Sequence, residues 1–232
     1  MFCIRTKEVT MYGIYNFNLN LSKFVKEYNL LQETATPKIK GEKGHNKFYK
    51  VSNTTKEELS AYLTESIGKK FDWSFDFFIS GEPVGLHTDY TVVPWNDKVS
   101  CRVDVGVIIP VEWNCKQPYT LAYNKSATEP IKIMFKGKEL IDDNGNIIQY
   151  REKYEYDPEI FKYHPEGTPN LIQYADLKID EVFKWTTGSM YVFDTKKWHS
   201  SSWFLHTDHI PDVSTEYKFF IVGFGSIDIP KV

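Results

Sequence analysis

Cysteine is scarce in this chain: there are three, Cys3, Cys101 and Cys115. They form no CxxC pair and leave one thiol without a mate, so a disulfide framework is not expected and a reducing compartment is. Long hydrophobic runs are missing, and nothing approaches the roughly 20 residues of a membrane span. The opening Met1-Phe2-Cys3-Ile4-Arg5 lacks the shape of a secretion signal, and the expectation is a cytoplasmic protein. Charge of one sign is missing as well: the net charge is -3 and the pI about 6.1. That argues against a dedicated nucleic-acid binder, although a local basic patch stays open. Regular alternation of strands with helices is absent, which excludes a doubly wound α/β fold. There is no internal repeat and no second domain boundary.

Aromatic residues, by contrast, make up 16% of the chain, and Tyr, Phe and Trp favour strands. Hydrophobic residues at 41% with charged residues at 25% promise an ordinary globular core. Tyr12, Ile14, Tyr15 and Phe17 alternate loosely as one or two strands. Leu21 to Leu31 reads as a helix, with Ser22 as cap and Leu21, Phe24, Val25 and Tyr28 at helical spacing. Residues 32–47 read as a Lys-, Gly- and Thr-rich loop. Thr55-Lys56-Glu57-Glu58 has capping-box form and opens a helix to Ile67, ended by Gly68. Its apolar face is Leu59, Tyr62, Leu63 and Ile67.

From residue 71 the pattern turns to strands: Phe71–Ser80, Cys101–Ile109 stopped by Pro110, and Tyr119–Tyr123. Ile131–Phe135 and Ile147–Tyr150 form a hairpin about Asn144-Gly145. Gly188 opens Ser189–Asp194, and Glu216–Gly225 is apolar on both faces except for Lys218. Two early helices and many later strands predict a mainly β, α+β single domain over 1–232, built as a β-sandwich or jelly-roll barrel. Residues 1–70 supply strands and supporting helices, residues 71–226 the core, and the insert 125–184 decorates its mouth.

The chemistry centres on Gly85-Leu86-His87-Thr88-Asp89-Tyr90. In extended chain, residues i and i+2 point the same way, so His87 and Asp89 can aim a nitrogen and an oxygen at one point. That is two-thirds of the two-histidine, one-carboxylate face that holds non-haem Fe(II). His199, following the strand Ser189–Asp194, is the candidate third ligand. His209 competes with it, and His206-Thr207-Asp208 is a second, loop-borne HxD. His45 lies in a polar loop and His164 precedes Pro165, so exposure is the expectation for both. The acidic run from Asp142 to Asn146 fails the calcium-loop pattern and reads as a turn. Trp198 and Trp203 read as core.

In order along the chain, His87-Thr88-Asp89, then Gly188-Ser-Met-Tyr-Val-Phe-Asp194 leading to His199, then Lys218 resembles the Fe(II)/2-oxoglutarate-dependent dioxygenases. The resemblance is to their prolyl-hydroxylase-like branch with its phage relatives, and it covers roughly residues 71–226. It implies a double-stranded β-helix (jelly roll) with His87, Asp89 and His199 on iron. It also implies a basic residue gripping the far carboxylate of 2-oxoglutarate. Pushed into a barrel unpaired, that carboxylate would cost several kcal/mol. Lys218 is the first candidate for this role and Arg102 the second. Lys offers a point charge where many relatives use the fork of Arg, and the gap from His199 to Lys218 is longer than the family's. Tyr90 and Trp95 are expected to line the substrate entrance. The implied activity is a dioxygenase using O2, a hydroxylase of a protein side chain, nucleobase or small molecule, in a bacterial or phage-infected cell. The competing readings are a catalytically silent jelly-roll module, such as a phage particle component, and a cupin-like protein holding Mn, Co or Ni.

Overall fold

The aromatic run from Phe71 and the apolar run ending at Ser226 become paired neighbours in one sheet. The computed structural model describes residues 11–40, 46–81, 83–89, 92–95, 99–126, 134–136, 139–141, 147–150, 156–164, 171–175, 177–202 and 216–226. Its order is β1 (Gly13–Asn16), α1 (Leu21–Thr34), β2 (Lys38–Lys40), β3 (Asn46–Lys50), α2 (Asn53–Ile67) and β4 (Asp72–Ser80). Then come β5 (Val92–Trp95), β6 (Val99–Arg102), β7 (Val105–Trp113), β8 (Tyr119–Ser126), β9 (Met134–Lys136), β10 (Glu139–Ile141) and β11 (Ile147–Tyr150). Two short 3-10 turns, Pro158–Lys162 and Leu171–Tyr174, precede β12 (Ile179–Lys184), β13 (Ser189–Asp194), β14 (Lys197–Ser201) and β15 (Lys218–Ser226). No helix among the described residues is long and apolar enough to cross a membrane.

Both helices form where the sequence places them, with different caps. Asn20, not Ser22, caps α1: its side chain accepts from the Ser22 N–H, and the helix runs on to Thr34. Ser22 is instead the second helical residue, one of the N–H groups that needs the cap. In α2 the cap is Ser52, whose hydroxyl accepts from Thr55 N at 3.3 Å, so the helix starts before the capping-box residues. Glu27 of α1 accepts from Ser52 N at 2.6 Å and also from the Thr55 hydroxyl, which ties the two helices together. Gly68 ends α2 at φ 73°, the left-handed value a glycine adopts without strain. The expected loop over 32–47 instead carries the end of α1, β2 and the start of β3.

The main sheet is antiparallel, in the order β1-β13-β7-β15-β4-β3-β2. One face packs on the helices through Phe24, Tyr28, Leu59, Leu63, Phe75, Phe77, Phe219 and Ile221. Each fully buried leucine or phenylalanine there contributes about 1.5–3 kcal/mol. The other face carries Phe78, Ile108, Tyr191, Phe193, Phe220 and Val222 against Phe183 and Trp185. Those two residues lie on and just after β12, in a second antiparallel sheet of order β12-β8-β14. Ile179–Lys184, placed by sequence within the 125–184 insert, is thus a strand of this sheet.

The Cys101–Ile109 run is not one strand. Cys101 and Arg102 end a hairpin of β5 with β6, the chain breaks at Val103-Asp104, and Asp104 N bonds to Gly225 O at 3.0 Å. Nor does Pro110 stop β7, which continues to Trp113. Pairing with β13 has already ended at Ile108, and the register with β15 shifts where Phe220 faces Pro110, so its missing N–H breaks no regular ladder. The hairpin expected over 131–151 is a three-strand meander: Glu139–Ile141 intervenes and pairs with both neighbours. Its Asn144-Gly145 turn lies outside the described residues.

Candidate metal centre

His87 is not on a strand proper. The segment from Val84 docks along the free edge of β14, where His87 N bonds to His199 O at 3.0 Å and His199 N to His87 O at 2.9 Å. Asp89 N continues the contact to Thr195 O at 3.0 Å, and Val84 N donates to the Ser201 hydroxyl at 2.6 Å. Backbone pairing thus carries the HxD turn to a histidine far along the chain. His87, Asp89 and His199 each present one ligand atom, all within 4.8 Å of one another.

The two imidazoles are oriented from behind. His87 Nδ1 faces Gly85 O at 2.6 Å and His199 Nδ1 faces Lys197 O at 3.0 Å. A carbonyl only accepts, so each Nδ1 carries the hydrogen and each Nε2 is left with its lone pair. Those Nε2 atoms lie 3.7 Å (His87) and 3.1 Å (His199) from the two oxygens of Asp89. Two lone pairs and a carboxylate aimed at one point require positive charge among them. A proton is one way: burial works against a charged His199, but Asp89 and the Lys197 carbonyl outweigh it and raise its pKa. A divalent ion satisfies all three donors at once.

The three residues line one wall of a cavity of about 280 Å³ between the two sheets. Its other walls are largely apolar, with Phe78, Ile108, Phe193, Phe220 and Val222 from the main sheet. Phe193 also packs on His199, ring centres 4.8 Å apart, and its ring lies across Gly106, where a Cβ would meet it at 2.3 Å. Lys218 lines the same cavity and is 1% exposed. Its Nζ sits 5.2 Å from the centre of the Trp185 ring, a cation–π position. Trp185 is held in turn by its indole N–H to Thr120 Oγ1 at 3.0 Å. Burial pushes the Lys218 ammonium down to about 7, against a smaller upward pull from Cys115.

Of the expected site residues the structure therefore brings together His87, Asp89, His199 and Lys218. Tyr90, His45, Trp203, His206 and His209 lie outside the described residues, and Trp95 and Arg102 are described only as positions on β5 and β6. Thr120, Trp185, Phe193 and Ser201 are wall residues that sequence reasoning did not select. The alternation of β8 places Thr120 and Ala122 on one side and was the available signal for Thr120. Trp185 follows the end of β12, a strand that the sequence placed within the insert 125–184. His164 is a correction: it is 1% exposed, not at the surface. It stacks on Tyr174 behind the three-stranded sheet, with Nε2 3.3 Å from Tyr123 Oη and 3.4 Å from Ser200 Oγ. Burial lowers its pKa to about 4.

No protein-family model matches the chain, and no curated protein does. Solved structures do. The non-heme alpha ketoglutarate dependent epimerase SnoN from nogalamycin biosynthesis superposes with a TM-score of 0.50 at 10% identity, over 93% of this chain and 78% of that one. SnoN in complex with Fe3+, alpha ketoglutarate and nogalamycin RO gives the same score and coverage at 9% identity. A Pseudomonas putida prolyl-4-hydroxylase is more distant, at 8% identity and a TM-score of 0.45, over 93% and 91% of the two chains. At such identities the likeness to SnoN shows a shared fold.

Proposed function

We propose that this protein is an Fe(II)- and 2-oxoglutarate-dependent dioxygenase on a double-stranded β-helix, with His87, Asp89 and His199 as the iron ligands. The observation that carries the reading is the pairing of two sites in one cavity. At one wall stand two imidazoles, tied at Nδ1 and with Nε2 turned toward the carboxylate of Asp89. At another stands a buried lysine. The donor set fits Fe(II), which takes two histidines and one carboxylate and keeps positions free for other ligands. The fold shared with SnoN, described as a non-heme alpha ketoglutarate dependent epimerase, supports the same reading.

When bound, Fe(II) with 2-oxoglutarate and O2 supplies the oxidation of a substrate C–H bond, with hydroxylation as the expected outcome. The chain does the rest. Gly85 O and Lys197 O hold the two rings in the tautomer that can bind a cation. Lys218 takes up a proton and balances the far carboxylate of the co-substrate. Phe78, Phe193, Phe220 and Val222 keep water from the charges between them, which strengthens both interactions. The reacting group belongs to a protein side chain, a nucleobase or a small molecule.

Anaerobic titration of the metal-free protein with Fe(II) and then 2-oxoglutarate tests this. The expected result is a weak visible charge-transfer band, absent in His199→Ala and needing far more 2-oxoglutarate in Lys218→Ala. No band and no iron uptake by the folded wild type would overturn the reading and leave a jelly-roll binding module.

A further inference from the structure

Lys218 has a second chemical capacity that carboxylate binding does not use. Its side chain is 1% exposed, and its amine is reached through the cavity that it lines. Trp185 presents a ring face to Nζ and Phe220 follows on the same side of β15. The ring face favours the ammonium, but burial away from water outweighs it, so this lysine carries its proton weakly and becomes a nucleophile near neutral pH. Burial lowers its pKa to about 7. Lys162 and Lys197 shift the other way. The carboxylate of Glu159 holds the Lys162 ammonium charged, and on Lys197 the pull of Asp180 and Glu181 outweighs burial. Their proton affinities rise, which lowers the share of reactive amine.

We propose that Lys218 is a carbonyl-condensing site: a small aldehyde or 2-oxo acid entering the cavity forms an imine on its Nζ. The nitrogen lone pair attacks the carbonyl carbon. The two amine hydrogens leave with the carbonyl oxygen as one water, and a C=N bond replaces C=O. No oxidant or reductant is needed. The cavity of about 280 Å³ and its largely apolar walls favour small, compact carbonyl compounds over bulky ones. A carboxylate beside the carbonyl suits the site further, because protonation of the imine nitrogen places a cation next to it. The reaction needs no metal, so it stands or falls apart from the iron chemistry.

The test is reductive trapping on the full chain, stripped of metal, with glyoxylate as probe and cyanoborohydride to fix the imine, read by peptide mass mapping. The expected product at pH 7 is one carboxymethyl group on the Lys218 peptide ahead of every other lysine. At that pH the neutral fraction of Lys218 is roughly three orders of magnitude above that of an ordinary lysine. Labelling of Lys218 should rise with its midpoint near its pKa of about 7. Lys218→Arg, which keeps the charge and loses the amine, should lose the preferred label while retaining the wild-type circular dichroism. Label spread over exposed lysines with Lys218 untouched at pH 7 would overturn the proposal. Addition of Fe(II) and 2-oxoglutarate without oxygen should suppress the label. Labelling that persists there keeps this proposal and overturns the assignment of Lys218 as the carboxylate partner.

Discussion

The two faces of β15 carry different kinds of residue over the same length of strand. Toward the helices stand Phe219 and Ile221, packed with Phe75 and Phe77 of β4 and Val107 and Ile109 of β7. There the rings close down to the backbone: a Cβ on Gly223 would meet the Phe75 ring at 2.5 Å. Toward the three-stranded sheet stand Lys218, Phe220 and Val222, and about 280 Å³ is left open. Protein interiors are packed like organic crystals, so a gap of that size is not loose packing. It is bordered by an ammonium, two imidazoles and a carboxylate. The helix-covered face holds the fold, and the opposite face holds the candidate site.

The largest effect should separate the faces by function. Asp89→Ala or His199→Ala should abolish Fe(II) binding in a calorimetric titration, while the urea midpoint moves far less than with a helix-face truncation. Loss of folding together with loss of binding would break the comparison, because the triad would then be part of the scaffold. The next largest should do the reverse. Phe77→Ala, on the helix face and fully buried, should cost about 3–5 kcal/mol in denaturant unfolding. The fraction still folded should bind Fe(II) with unchanged affinity.

How far these faces can be read in the sequence depends on how local the deciding contact is. The α2 face, Gly188 ahead of β13 and the two-faced apolar run of β15 are local patterns, and the structure forms each of them. Residue types are equally local, and the resemblance along the chain joined His87, Asp89, His199 and Lys218 into one set, which the structure places around one cavity. The split at Val103-Asp104 is hidden inside a β-branched run, because what ends it is a bond from Asp104 to Gly225 on another strand. Pro110 reads as a stop unless one knows that β13 has already left its side. His87 reads only as a residue of extended chain, but a bridge to His199 positions it. The burial of His164 comes from Tyr123, Tyr174 and Ser200, none of them a sequence neighbour.

Lys218 sharpens the comparison through pH. Its folded pKa of about 7 lies below that of an unfolded lysine, 10.5. Between those values the unfolded chain binds more protons, so this residue makes stability rise with pH from about 7 toward 10.5. Below 7 its burial penalty is fully present, on the order of several kcal/mol. Lys218→Met should therefore be more stable than wild type at pH 6 and nearly equal to it at pH 10, by urea unfolding of metal-free protein. The same substitution should weaken 2-oxoglutarate binding by roughly 2–5 kcal/mol. A variant less stable than wild type at pH 6 would mean that the ammonium stabilises the metal-free fold.

The three-stranded sheet repeats the division at smaller scale. On β14, His199, Ser200 and Ser201 all border the cavity, but the Ser200 hydroxyl turns away to meet Tyr123 Oη at 2.9 Å beside His164 behind the sheet. Burial holds His164 neutral with a pKa of about 4, below the unfolded 6.5. From 6.5 down to about 4 the unfolded chain takes up the proton first, so stability falls as pH falls through that window. The slope should flatten by about 1–3 kcal/mol in total in His164→Gln, which keeps a polar side chain but cannot titrate there. If the back of the sheet only packs, Fe(II) affinity of His164→Gln at pH 7.5 stays at the wild-type value. If affinity drops with it, the division fails at this sheet, and the Tyr123–Ser200–His164 cluster is holding the strand that presents His199.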